Sequence, residues 1–523
     1  MARVLVTERI AASGIDALRE AGHDVDESLA LSPEELVDAV KGAAALIIRS
    51  ATQVTAEVLA AGEDLVVVGR AGIGLDNVDV EAATRRGVMV VNAPLSNILS
   101  AAEQAMALLL AQARNLPQAH ASLKSGKWER SRFEGVELSG KTLGVIGLGR
   151  VGALVAQRAM AFGMRLVAYD PFVSAERASH MGVEILELDE LMAVSDFVSI
   201  HLPKNASTIG LIDAKLLARS KPGQRLINTA RGGIVVEDDL VEAIRSGRIQ
   251  GAGLDVFAKE PCTDSPLFAL DSVVVAPHLG ASTVEAQDKA GVTIAEQVLL
   301  ALEGQFVPFA VNVAAGEVSD VVRPFMGLAE ELGRFFSCLH DEVPATFEVN
   351  YQGELAGAGT SILALCVLKG ICSVRSEAPV SYVNAPQLAQ AAGVEWTESS
   401  SIQSPDFVSV LTVRSATHSV SGTLATVGTR IEPRIVTVDD HTVEIPPASN
   451  MLVVRNDDRP GMIGYVGTEL GRADVSISSM AVGPSPATGT ALMVLSCDRR
   501  PGDEVLARIR QGAGIHELHR IEL

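Results

Sequence analysis

Over the first hundred residues, short apolar runs alternate with stretches of helical spacing. Val4–Thr7, Ala45–Ile48, Leu65–Gly69 and Val88–Val91 are brief, rich in β-branched residues and bounded by polar or glycine positions. They read as buried strands, and strands that alternate with helices predict an α/β unit built on a parallel sheet. Ser100-Ala101-Ala102-Glu103 has the form of a capping box, and the apolar run Met106–Ala111 follows it. This predicts a long buried helix crossing between two lobes. From Leu143 to about His278 a second α/β unit runs through strands near Val145, Val167, Val198, Leu226, Gly253 and Val274. A helix starting near Ser282-Thr283-Val284-Glu285 is expected to return to the first lobe. That lobe is then discontinuous, 1–99 with 284–313, around a second lobe over 100–283.

Past Asn312 the pattern changes. A helical stretch from Arg323 to Ser337 leads into alternation over Phe407–Val413 and Ile435–Ile445, the mark of an α+β unit over 318–449. Pro446-Pro447-Ala448-Ser449 marks a boundary. The remainder, 451–523, reads strand, helix, strand, strand, helix, strand, a ferredoxin-like βαββαβ module. Asp458 is placed to cap its first helix and Pro460 to open it.

Composition narrows the classes. A chain of 523 residues with 48% hydrophobic and 20% charged residues can fill several cores. A formal net charge of −21 opposes nucleic acid or an anionic membrane as partner. No apolar stretch reaches the ~18 residues of a membrane span, and Met1–Val6 moves straight into a strand without a signal-peptide pattern. Cys262, Cys338, Cys366, Cys372 and Cys497 lack metal-ligand spacing or a disulfide framework. A reducing cytoplasm is therefore expected, with no metal, and Cys262 reads as an incidental thiol rather than a nucleophile.

The most specific chemistry is a glycine turn. The strand Lys141–Ile146 runs into Gly147-Leu148-Gly149-Arg150-Val151-Gly152 and then a helical pattern, and the next strand, Arg165–Tyr169, delivers Asp170. This is the dinucleotide-binding arrangement of a doubly wound, Rossmann-like lobe. Gly147 permits the tight turn, Gly149 the approach of a pyrophosphate, and Gly152 the close packing of helix on strand. The helix start offers N–H groups to phosphate. Asp170 suits ribose hydroxyls and repels a 2′-phosphate, so NAD is favoured over NADP. Three later segments end strands: Asn228–Gly233, Gly253–Pro261 and Ala276–Thr283. Ligands of open α/β sheets bind outside those strand ends. Alcohol oxidation by hydride transfer needs a base, and His278 suits it, with Glu260 to orient the imidazole and Arg231 to clamp a substrate carboxylate. Asp255 faces the nicotinamide side.

These segments resemble the D-2-hydroxyacid dehydrogenase family, whose hallmarks look like Gly147–Gly152 with Asp170, Asn228–Gly233, Leu254–Pro261 and Pro277–Thr283. Over its whole length the chain is similar to the long-form phosphoglycerate-oxidising branch, which carries an intervening allosteric domain and a C-terminal ACT domain. The resemblance gives Arg231, Glu260 and His278 the catalytic roles. It gives the NAD contacts to Arg150, Val151, Asp170, Ala230, Arg231, Gly232, Asp255, His278, Leu279, Gly280 and Ala281. It implies oxidation of 3-phosphoglycerate in serine biosynthesis, and a tetramer built from dimers. A phosphorylated acid needs a second anion site away from Arg231, for which Arg49-Ser50-Ala51-Thr52 is one candidate patch; Arg70-Ala71-Gly72-Ile73-Gly74 is another, where the backbone N–H groups of Gly72, Ile73 and Gly74 are suited to the carboxylate. The basic, aromatic loop Lys127–Arg132 is placed near a dimer partner. Asn456 and Asp458 match the effector loop for L-serine, and Ser476 stands where many relatives place Asn. Arg430 and Arg434 are candidate anion ligands of the middle domain. Two rival readings remain. One is a relative acting on glycerate, glyoxylate or 2-oxoglutarate; the other is an NAD-sensing scaffold of the corepressor type.

Overall fold

The computed structural model describes residues 1–313, 318–376, 380–428, 430–439, 441–485 and 489–523. Five parallel strands form the first sheet: β1 (Arg3–Val6), β2 (Asp24–Glu27), β3 (Ala45–Ile48), β4 (Val67–Arg70) and β5 (Met89–Asn92), in the order β2-β1-β3-β4-β5. Residues of β3 and β5 are buried throughout, as a sheet covered on both faces requires. The helix Val284–Leu302 covers one face, burying Ile294 and Val298 against Val67 and Val91. Its N-cap Thr283 accepts a hydrogen bond from Ala286 N.

The second sheet holds β6 (Thr142–Ile146), β7 (Arg165–Tyr169), β8 (Glu184–Ile185), β9 (Phe197–Ile200), β10 (Gln224–Asn228), β11 (Ile249–Leu254) and β12 (Val273–Val275). The strands are parallel and ordered β12-β11-β10-β9-β6-β7-β8. The order reverses between β6 and β9, and there a doubly wound sheet opens a crevice at its carboxyl edge. The helix Ile98–Arg114 packs Ala105, Leu108 and Leu109 on this sheet, while its Gln112 donates to the carbonyls of Ala252 and Ser272. The capping box expected at Ser100 is not formed. This helix begins at Ile98 with Asn97 before it and no side-chain cap, and the Ser100 hydroxyl lies 2.8 Å from that of Thr283.

A six-stranded sheet, backed by the helices Phe325–Cys338 and Ser361–Ser373, holds the next core around Phe335, Phe336 and Tyr351. The chain ends in an antiparallel sheet of Asn450–Asp457, Ile477–Ser485, Thr490–Cys497 and Ile515–Glu522, with Asn450–Asp457 between Thr490–Cys497 and Ile515–Glu522. Two helices, Met462–Arg472 and Asp503–Arg510, cover its face. Asp458 does not cap the first of them. The cap position is Gly461 at φ 98°, a left-handed conformation open to glycine, and it leaves Asp458 outside the first turn. No described helix is long and apolar enough to cross a membrane.

Candidate active site

The glycine turn sits at the crevice where the second sheet reverses. Gly147 has φ +95°, and a Cβ there would stand 2.7 Å from the His201 carbonyl oxygen. At Gly152 a Cβ would stand 2.1 Å from the Gly147 oxygen, so helix and turn touch only because the side chain is absent. At Gly149 a Cβ would meet nothing within 4 Å. That open flank is what a pyrophosphate needs. Arg150 and Val151 open the twelve-residue helix Arg150–Ala161, whose N-terminus no side chain caps. Asp170 closes the turn from the β7 side: its Oδ2 accepts from Leu148 N at 2.8 Å and its Oδ1 from Phe172 N at 2.9 Å. Each oxygen keeps a second lone pair for a ribose hydroxyl. These residues fit NAD.

Three loops meet beyond the ends of β10, β11 and β12. Asn228 folds the first of them, accepting from Ala230 N at 3.1 Å and donating to Arg231 O at 3.1 Å. Gly232 presses on the second, since a Cβ there would stand 1.7 Å from the Phe257 oxygen. Glu260 and His278 are paired, Oε2 to Nδ1, at 2.7 Å. The other oxygen of Glu260 accepts from Phe257 N at 2.9 Å. Burial pushes the Glu260 carboxyl up, but the His278 contact, the Phe257 N–H and the Arg231 charge together hold it below its ordinary value. The His278 side chain is 44% exposed, so its remaining nitrogen is open to the crevice.

Asp255 braces this arrangement from below. It is fully buried, and its carboxylate accepts from Leu279 N and Gly280 N, both at 2.8 Å, and from Gln104 Nε2 at 3.2 Å. Its carbonyl accepts from His278 N at 2.8 Å, so the whole turn from His278 to Gly280 hangs on one residue. Burial pushes this carboxyl up, against its N–H donors and the nearby imidazole. His278 is held there at φ +56°, unusual for a residue with a side chain. Asp255 therefore faces its own loop rather than open space, and Gln104, a helix residue with no motif around it, completes the bracing. Ala281 ends the turn before the returning helix.

The first lobe brings cations across the crevice. Arg231 Nε lies 3.4 Å from Asp76 Oδ2, and a Cβ at Gly74 would stand 2.6 Å from the Arg231 guanidinium. Arg70, at the end of β4, turns back over Gly72, and its buried Nε has no hydrogen-bond partner among the described residues. Burial, followed by the Arg231 charge, brings its pKa down to about 10; Glu8 and Asp76 act against this and Arg49 with it. Arg49 and Ser50 follow β3. The N–H groups of Arg49, Ala51 and Thr52 all donate to the Glu8 carboxylate, at 2.8, 3.2 and 3.0 Å. The backbone of this stretch already holds an anion from the chain itself. Glu8 carries no motif, and Arg70 heads a stretch whose sequence points to its backbone N–H groups rather than to the guanidinium.

Farther off, Asn456 is buried at the end of Asn450–Asp457, donating to the Asp457 carbonyl at 2.7 Å, and its Oδ1 has no hydrogen-bond partner among the described residues. Asp458 and Ser476 are exposed. Arg132 pairs with Asp271 at 2.8 Å, and the five cysteines are free thiols.

Known proteins share this architecture. Residues 106–280 match the family model of the D-isomer specific 2-hydroxyacid dehydrogenase NAD binding domain. Residues 321–439 match the D-3-phosphoglycerate dehydrogenase intervening domain, and 450–511 the ACT domain. Over 527 residues the chain is 47% identical to the D-3-phosphoglycerate dehydrogenase of Mycobacterium tuberculosis, covering 99% of each chain. It is 41% identical over 526 residues to that of Archaeoglobus fulgidus, covering 100% of both. Among solved structures, the TT0316 protein of Thermus thermophilus superposes with a TM-score of 0.55 at 37% identity, over 59% of this chain and 99% of that one.

Proposed function

Because the chain belongs to the D-3-phosphoglycerate dehydrogenase family, we propose that Arg231, Glu260 and His278 carry its reaction in the crevice between the first two lobes. The protein is an NAD-dependent oxidoreductase that converts 3-phosphoglycerate to 3-phosphohydroxypyruvate, the first step of the phosphorylated route to serine. The 2.7 Å pair of His278 and Glu260 carries the assignment of roles. With Nδ1 held by the carboxylate, Nε2 of the neutral ring presents a lone pair to the substrate hydroxyl and takes its proton. Glu260 then stabilises the imidazolium, and the proton is kept for the reverse reaction. Arg231 clamps the substrate carboxylate, its permanent charge fixing the carbinol carbon in place. NAD, when bound, supplies the hydride acceptor.

The cofactor rests on Gly147, Gly149, Arg150, Val151 and Gly152, with Asp170 at the ribose and Ala230, Gly232 and Leu279–Ala281 along the nicotinamide side. Asp255 acts through the turn it braces. Arg49 and Arg70 take the phosphate. The unpartnered Nε of Arg70 supports this, because a buried donor without an acceptor is costly and a phosphate oxygen would satisfy it. Ser50 and the Gly72–Gly74 backbone line the same end. The reading divides the chain into 1–99 with 284–313, 100–283, 318–449 and 451–523. It takes L-serine as effector at Asn456, Asp458 and Ser476, and a cytoplasmic homotetramer as the working form. Exposed Leu116, Leu123 and Trp128, beside the loop Lys127–Arg132, favour a contact between subunits there.

Measuring NADH formation from 3-phosphoglycerate tests the assignment. His278→Ala should lower kcat by a factor on the order of 10² to 10⁴, with a far smaller effect on NAD binding. Equal turnover in the variant would remove His278 from the chemistry. A native protein that binds NAD without turnover would favour the scaffold reading.

A further inference from the structure

Well away from the crevice, the junction of the six-stranded sheet with the C-terminal module gathers imidazoles and carboxylates from both units. His418 immediately precedes the strand Ser419–Val427, and Asp439 lies in the turn between Arg430–Val438 and His441–Ile445. Glu517 and His519 are two apart on Ile515–Glu522, hence on one face of that strand. Arg455, opposite Glu517 in the sheet register, comes from Asn450–Asp457.

The hydrogen bonds assign the atoms. Nδ1 of His418 lies 2.9 Å from Asp439 Oδ2, which leaves Nε2 as the lone-pair nitrogen. A carboxylate behind an imidazole is the outer shell that metal-bound histidines carry. Glu517 divides its oxygens. Oε2 accepts from Arg455 Nε at 3.1 Å, while Oε1 stands 3.8 Å from His418 Nε2 and 2.9 Å from His519 Nε2. His519 Nε2, though that close, makes no well-directed hydrogen bond to the carboxylate and has no other partner among the described residues. The neighbouring His340, 4.8 Å away between ring centroids, is spoken for: Nδ1 meets the Phe336 carbonyl and Nε2 the Ser415 hydroxyl.

We propose that His418, Glu517 and His519 form a site for a divalent transition-metal ion of the zinc class, one that fastens the C-terminal module to the preceding sheet. The three ligand atoms lie within 4.8 Å of one another. A tetrahedral zinc with bonds of about 2.0–2.2 Å sets its ligands roughly 3.3 Å apart, a spacing that small side-chain rotations reach from here. Two imidazoles and one carboxylate suit zinc rather than calcium or magnesium, which take oxygen. Asp439 and Glu517 outweigh Arg455, so the surroundings favour a cation. The side chains of His418, His519 and Glu517 are 14%, 16% and 33% exposed, while His519 Nε2 itself is buried, as the ligand of a structural ion is.

The full-length protein, stripped with a chelator, is titrated with Zn2+ by calorimetry. One ion per chain is expected, bound at least ~10-fold more weakly by His418→Gln and by His519→Gln, a factor of ten being about 1.4 kcal/mol. Zn2+ should raise the melting temperature of the native chain and not of these variants, and metal-free NADH formation should be the same in all three. Co2+ in place of zinc should give the absorption of a tetrahedral nitrogen–oxygen site. Should one variant misfold, the other carries the comparison. Absence of saturable binding, or equal affinity in native chain and variants, overturns the proposal.

Discussion

Glu260 and His278 stand eighteen positions apart in sequence, and each reaches the other from a loop that its own strand has delivered. The pairing depends on charge as well as geometry, since the carboxylate is held ionised by the imidazole, a backbone N–H and Arg231. Glu260→Gln keeps the shape and removes the charge. It should lower kcat by roughly ten- to a hundredfold with KM little changed, because the lost interaction strengthens only as the imidazole gains its proton. Steady-state kinetics check this, and a change confined to KM would show that Glu260 serves binding instead. Arg231, Glu260 and His278 were legible in the sequence because each follows an apolar strand closely enough to be placed at its end. Glu8, the guanidinium of Arg70 and Gln104 were not. Their partners are far along the chain, at Arg49–Thr52, Arg231 and Asp255, and no local pattern signals such a meeting.

The nucleotide-binding sheet is tied at its opposite edge by Asp196, just before β9. Its carboxylate accepts from Lys221 Nζ at 2.8 Å and from Thr142 N at 2.9 Å. Burial works against ionisation here, but Lys221 and the Thr142 N–H prevail and hold the carboxyl below its ordinary value. A carboxyl depressed in the folded state binds fewer protons than in the unfolded chain. It therefore contributes stability in full above the ordinary value of about 3.9, and that contribution is lost as pH falls through the lowered one. Melting temperature followed down through pH 4 should fall less steeply in Asp196→Asn than in the native chain; parallel curves would deny Asp196 this part. Other elements differed in how plainly they could be read. The glycine turn announces itself because sterics leave no alternative at Gly147 and Gly152. β2 carries one apolar residue in Asp24–Glu27 and lies at a sheet edge, so it has no alternation to detect, and β8 is two residues long. Ser100 and Asp458 have the right chemistry for caps, but one meets Thr283 and the other lies outside a helix that glycine starts.

At the scale of the whole molecule, the chain leaves the first lobe, builds the second, and returns along Val284–Leu302, with Ser100 and Thr283 touching where the two crossings lie side by side. The C-terminal module shares a core with the intervening domain, Met451, Val453 and Ile521 clustering with Phe335 and Val443, so an effector at Asn456 would have that domain as its neighbour. L-Serine should inhibit NADH formation, and Asn456→Ala should shift the inhibition curve to at least ~10-fold higher serine, since the unpartnered Oδ1 is the acceptor an ammonium would find. An unshifted curve places the effector elsewhere. One feature of the first lobe bears on what the crevice can tell apart. With Glu8 occupying the main-chain donors after β3, a phosphate at that end, as proposed, would rely on the guanidinium charges of Arg49 and Arg70 more than on the peptide of that stretch. Such an end counts negative charges more readily than it measures outline. Multivalent oxyanions in the surrounding medium then become rivals of the substrate itself.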